Sequence, residues 1–212
     1  MTIWYWLGLT LTKILGKTRL SLRIQNGGDL DELADGLLIV SNHVSFLDPP
    51  LIATGFKKAI HYFARKTLFD HPVSNFLFTR CNAIPVDQSK PELSMLKKVI
   101  GLLKDGEKVV IFPEGERSWD GEMNMEGQPG VGMIVSKSQV PILPVRLFGP
   151  DKALARGGKK INKHPVTIVF GEPIQPGELI DESLPTRERY KAIASRVMQE
   201  IAKLEMTDDR GE

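Results

Sequence analysis

Residues 36–50 read "GLLIVSNHVSFLDPP". An unbroken apolar run, Leu37 to Val40, gives way at once to a polar corner carrying His43 and Asp48, and then to two prolines. A short continuous apolar run closed by turn residues fits a strand buried on both faces. Asp48 suits the cap of a helix and Pro49 its first position, so the corner leads from strand into helix. One such unit predicts a parallel sheet with helices lying on it.

Similar units recur along the chain. "AIHYFA" (59–64) reads as a strand, "PVSNFLF" (72–78) as a short helix and "AIPV" (83–86) as a strand. Residues 89–106 hold Leu93, Leu96, Ile100 and Leu103 at helical spacing, with Gly106 as a stop. "KVVIFP" (108–113) is a strand, 129–139 a helix, and 141–149 and 165–171 are strands. Residues 185–204 place Tyr190, Ile193, Ala194, Val197, Met198 and Ile201 on one helical face. The expected fold class is therefore α/β, a single domain whose largely parallel central sheet is flanked by helices. In such sheets ligands bind beyond the carboxyl ends of the strands. The corner after Val40 lies there, and so does "FPEGERS" (112–118).

Bulk properties narrow the function classes. A chain of 212 residues builds one sizeable core without a second domain. The formal net charge of +2 gives no field that favours nucleic acid, so none is expected as a partner. Cys81 is the one cysteine, which excludes an internal disulfide framework and fits a reducing compartment. His61, His71 and His164 form no ligand pattern with it, so no metal is expected.

The first residues, "MTIWYWLGLTLTKILGK", hold two of the three tryptophans. Their apolar run stops at Lys13, short of the roughly 20 residues a spanning helix needs. On a helical projection Ile3, Trp4, Leu7, Leu11, Ile14 and Leu15 share one face, with Lys13 and Lys17 on the other side. Tyr5, Trp6 and Leu9 spill off that face, as expected for groups lodged at headgroup level. Two readings compete: a helix docked on the protein's own core, or an interfacial helix whose Trp4, Leu7 and Leu11 enter lipid. The expected organisation is an amphipathic interfacial helix (1–17), the α/β domain (18–204) and a polar tail (205–212).

Two corners carry the chemistry. A histidine is well poised to take a proton near neutral pH, and a carboxylate on its other ring nitrogen stabilises the resulting cation. The four residues between His43 and Asp48 let a loop bring both side chains into one cleft. Helix capping by Asp48 is compatible with that pairing, because a carboxylate has two oxygens. The second corner reads as a turn or as an anion site. Gly115 permits close backbone approach, Arg117 offers a fork that matches a phosphate, and Ser118 adds a hydroxyl. Glu114 is placed to orient that arginine.

Taken in order, these motifs resemble those of the 1-acylglycerol-3-phosphate acyltransferases, within the wider glycerolipid acyltransferase superfamily. Asn42-His43-x4-Asp48 matches the family's NHxxxxD motif. Phe112 to Ser118 matches FPEGTRS, with Glu116 where threonine is usual. "VPILPV" (140–145) is similar to its apolar-proline motif, and residues 64–88 to the intervening block. Gln88 stands where that block usually ends in arginine, so Arg65, Lys66, Arg80 and Lys90 become candidates for the missing charge. The resemblance runs from about residue 18 to 175.

The resemblance implies transfer of a fatty acyl group from an acyl-CoA or acyl carrier protein co-substrate to the free hydroxyl of a lysophospholipid. The product would be phosphatidic acid, on the path to phospholipids, and no cofactor is implied. His43 and Asp48 are then the expected catalytic pair. Glu114, Gly115, Arg117 and Ser118, with Arg65 and Lys66, are the expected phosphate site. Such an enzyme must reach a bilayer, so the expected location is the cytoplasmic side of a membrane, peripheral or monotopic. The loop 151–164, with Lys152, Arg156, Lys159, Lys160 and Lys163, is either a second contact for anionic headgroups or a solvated loop. The alternatives are another lysolipid acceptor, a thioesterase in which water replaces the alcohol, and a non-catalytic lipid-binding protein of the same fold.

Overall fold

The computed structural model describes residues 2–86 and 93–207. Seven strands form one sheet in the order β1-β7-β6-β2-β5-β3-β4. They are β1 (Arg23–Gln25), β2 (Leu37–Ser41), β3 (His61–Arg65), β4 (Ala83–Val86), β5 (Lys108–Ile111), β6 (Ile142–Phe148) and β7 (Thr167–Phe170). Five of them, from β6 to β4, run parallel, whereas β7 is antiparallel to β6 and carries β1 parallel to itself. The mostly parallel sheet of the sequence reading is therefore present, with one reversed edge.

The middle strands β2 and β5 are buried at every position, and mostly apolar, because both faces are covered. Leu37, Ile39, Val110, Leu143 and Val145 point into one core. It is closed by α1 (Ile3–Thr18) and α2 (Asp48–Ala53), through Tyr5, Leu9, Leu51 and Ile52. Leu38, Val40, Val109, Ile111 and Ile142 point into the other. That side is closed by α4 (Leu93–Lys104), α5 (Pro129–Ser138) and α8 (Thr186–Lys203), through Val99, Leu103, Val135, Val197 and Ile201. The period of two along each strand thus feeds two cores in turn. Three further helices are short: α3 (Pro72–Arg80), α6 (Pro150–Ala153) and α7 (Pro176–Leu179).

Residues 87–92 and 208–212 lie outside the described residues, so the expectations for Gln88, Lys90, the start of the 89–106 helix and most of the polar tail fall there too. One expectation for the first helix is corrected. Tyr5 and Leu9 do not lodge among headgroups: both are buried in the core, and the Tyr5 hydroxyl accepts from Ile60 N–H at 3.0 Å. Leu15 also packs against that core. Ile3, Trp4, Leu7, Leu11 and Ile14 remain exposed on the outer side. One side of α1 therefore docks on the protein's own core, as the first of the two readings expects, while its other side is exposed.

Candidate active site

The central strand β2 is flanked by β6 on one side and β5 on the other, so its carboxyl end opens at the switch point of the sheet. The chain leaves β2 at Asn42, whose buried side chain bonds the β6 backbone in both directions. Its amide donates to Leu147 O at 3.0 Å, and its carbonyl accepts from Leu147 N–H at 2.8 Å. These bonds replace the ladder where β2 ends and fix the point from which the next residue projects. Sequence reasoning gave Asn42 no role of its own.

His43 follows. Its Nδ1 lies 2.7 Å from Asp48 Oδ2, and its side chain is 18% exposed. The ring stacks on Phe112 from the other corner, with centroids 3.9 Å apart and planes 16° from parallel. Held at one nitrogen and along one face, the imidazole is left with Nε2 as its remaining polar atom. Asp48 is fully buried, and its Oδ2 also accepts from Val44 N–H at 2.7 Å and Ser45 N–H at 2.8 Å. The carboxylate therefore braces the corner that precedes α2 instead of capping the helix itself, where no side-chain cap bond is made. Burial pushes its pKa up, while the His43 bond and the two N–H donors pull it back. Three donors on one oxygen favour the ionised form, which is the form able to stabilise a protonated His43.

The FPEGERS corner, after β5, is bonded directly to this one. Glu114 Oε1 accepts from His43 N–H at 2.8 Å and its Oε2 from Asn124 N–H at 3.1 Å. Ser118 N–H donates to His43 O at 2.8 Å. Glu114 is thus a buried brace between loops, with both oxygens committed to backbone, and not a partner of Arg117. Burial raises its pKa, against the lowering effect of those two N–H donors. Gly115 turns the corner at φ +80°, a conformation that a side chain makes costly. The Ser118 hydroxyl donates to Asp120 Oδ1 at 2.7 Å and accepts from Gly121 N–H at 3.0 Å, so it closes its own turn.

Arg117 is the buried cation of the site, only 8% exposed. Its guanidinium carbon sits 3.5 Å from the centroid of the Phe46 ring, which lies between His43 and Asp48 in sequence. Its Nη1 is buried and has no hydrogen-bond partner among the described residues. Burial, followed by the charges of Arg156 and Arg65, pulls its pKa below the ordinary arginine value. Arg65 ends β3 and acts on Arg117 through space, while Lys66 beside it opens a short 3-10 helix and is exposed. Among the described residues, no group of three or more His, Cys, Asp or Glu side chains is placed to hold a metal.

What the arrangement can do follows from these parts: an oriented base, a buried unpartnered cation, and two loops that hold them together. The parts lie on a fold seen before. A crystal structure of the 1-acyl-sn-glycerophosphate (LPA) acyltransferase PlsC from Thermotoga maritima superposes with a TM-score of 0.66 at 24% identity, covering 94% of this chain and 81% of that one. The 1-acyl-sn-glycerol-3-phosphate acyltransferase of Bacillus subtilis is 29% identical over 195 residues, 91% of this chain and 92% of its own. The enzyme of the same name from Helicobacter pylori is 30% identical over 168 residues, 78% of this chain and 68% of its own. Residues 22–147, more than half of the chain, match the family profile described as Acyltransferase. The span holds both corners, and the chain belongs to that acyltransferase family.

Proposed function

We propose that this protein is a 1-acylglycerol-3-phosphate O-acyltransferase, making phosphatidic acid from a lysophosphatidic acid and an acyl thioester. The observation that carries the reading is the meeting of the His43–Asp48 pair with the unpartnered, buried Arg117 guanidinium. A thioester already has a good leaving group, so the chain needs a base and a grip on the acceptor rather than a nucleophile of its own. His43 Nε2 takes the proton of the acceptor hydroxyl as that oxygen attacks the thioester carbon. The tetrahedral intermediate collapses, the carbon–sulfur bond breaks, and the departing thiolate receives the proton from His43. Asp48 stabilises the imidazolium in between.

The phosphate grip centres on Arg117, with Arg65 and Lys66 adding positive potential at the end of β3. Both substrate and product live in a bilayer, and the exposed side of α1 is the surface suited to it. Trp4 stands edge-on to Phe76 of α3, ring centroids 5.2 Å apart, so Val73, Phe76 and Leu77 extend the apolar face. Among the described residues no helix is long and apolar enough to cross a membrane, so the contact proposed is interfacial.

The test is a matrix of acceptors and donors. Purified protein is offered 1-acylglycerol 3-phosphate, its phosphate-free monoacylglycerol and other lysophospholipids, each with acyl-CoA and with acyl carrier protein. The expected result is phosphatidic acid as the main product with at least one donor. Preference for an acceptor without a terminal phosphate monoester would overturn the assignment.

A further inference from the structure

The loop that follows β6 and α6 reaches both catalytic corners, and its one arginine, Arg156, does not face solvent as the sequence reading of a headgroup contact or a solvated loop expected. Leu154 O accepts from the Ser45 hydroxyl at 2.8 Å, beside the His43–Asp48 turn. Two residues on, the Arg156 side chain is only 12% exposed. Its Nη2 lies 3.0 Å from Glu116 Oε2, and its Nη1 donates to the backbone carbonyl of Arg117. Its guanidinium carbon sits 3.5 Å from the centroid of the Trp119 ring, and that ring is 78% exposed on its outer side. The two arginines of neighbouring loops are thus each held on an aromatic face, Arg117 on Phe46 and Arg156 on Trp119.

We infer that Arg156 is a positioning residue for acceptor recognition: it fixes the main chain of Arg117 and thereby aims the guanidinium that grips the phosphate. The inference rests on the phosphate-site reading above. Arg156 itself is not the grip, because its fork is already spent on Glu116 and on the Arg117 carbonyl. The two bonds are not of equal weight. The Glu116 side chain is 64% exposed, and an ion pair in that setting contributes little. The carbonyl bond lies on the part-buried side and holds the residue that matters. Glu116 stands where the family motif usually has threonine, and a threonine there would leave the carbonyl bond intact. A second cation so close to Arg117 also raises the local positive potential, with Glu116 offsetting part of it.

The test compares wild type with R156A, R156K, E116T and R117A. Calorimetry gives Kd for a short-chain 1-acylglycerol 3-phosphate and for the matching monoacylglycerol, with kcat and thermal melting followed in parallel. R156A is expected to weaken binding of the phosphate-bearing acceptor about 10-fold, the scale of one charge-assisted hydrogen bond. Its kcat at saturation should change less than about 3-fold, and binding of the monoacylglycerol should not change. R156K, which reaches one partner but not two, should fall between, and E116T should stay near wild type. Equal weakening on both acceptors, or a loss in E116T as large as in R156A, would overturn the inference. R117A separates the two layers. If it too affects both acceptors alike, the phosphate-grip reading itself fails; if R117A is selective and R156A is silent, only the positioning role fails.

Discussion

His43 carries the most direct residue-scale expectation. His43→Ala should leave the melting temperature close to wild type and lower turnover roughly 100- to 10,000-fold, the range of a lost general base. Asp48→Asn should be severely impaired as well, since it keeps the shape of the brace and loses the charge that stabilises the imidazolium. A His43→Ala enzyme with near-normal turnover in detergent would sink the mechanism. Lys108 supplies a stability test away from the site. It is buried at the start of β5, its Nζ donates to Ala34 O at 2.9 Å, and burial lowers its pKa. Unfolded protein therefore binds the proton more tightly than folded protein, so wild-type stability rises with pH through the window below the usual lysine value. Lys108→Met should melt higher than wild type at neutral pH, and the gap should narrow as the pH climbs. A gap that widens with pH would show that the buried ammonium is not a burden. These residue-scale roles were unevenly legible. His43, Asp48 and Arg117 stood out because their chemistry matches their spacing. The braces did not: Glu114, Asn42 and Phe112 act on residues 71, 105 and 69 positions away, and such distances leave no mark on a single sequence.

At the scale of elements, the strands and long helices were readable because period and length sufficed. β2 and β4 match the quoted runs closely, and α8 spans nearly the whole expected segment. What escaped was short: β1, α6 and α7, of three or four residues each, have no room for a periodic signal. The orientation of α1 escaped for another reason. Large apolar side chains lie on both its docked and its outer side, so the pattern does not tell the two apart, and it places at headgroup level the Tyr5 and Leu9 that the structure buries. The separation now seen sharpens the membrane expectation. Trp4, Leu7 and Leu11 are 37%, 49% and 58% exposed, so replacing all three with serine should cost the fold little. Each large side chain that leaves water contributes on the order of 1.5–3 kcal/mol, enough for three to govern partitioning. The triple variant should leave liposomes while its melting point and its activity on a water-soluble acceptor survive. Lowered melting with unchanged liposome binding would assign those side chains to the protein core. A second element test concerns α5 and α8. A Cβ built on Gly132 would fall 2.1 Å from the backbone oxygen of Tyr190, so these helices meet at the glycine. Gly132→Ala should therefore lower the melting temperature clearly, although alanine is the better helix former; an unchanged or higher value would contradict that close approach.

At the scale of the whole molecule, one sheet places two corners at the carboxyl ends of adjacent strands, and the crossing bonds make them a single site. That meeting was legible once both corners were assigned to one edge. The third contributor, the loop after β6, was not, because Arg156 stands among lysines and its partners lie 39 and 40 positions away in sequence. The account as a whole claims acyl transfer to an alcohol, with the acceptor phosphate held beside the base. The most direct measurement is the rate of thiol release from the acyl thioester donor with and without 1-acylglycerol 3-phosphate. Release that depends on the acceptor, and matches phosphatidic acid formed mole for mole, is the predicted result. Release at the same rate without acceptor would make water the nucleophile and the protein a thioesterase, contradicting the account at its centre.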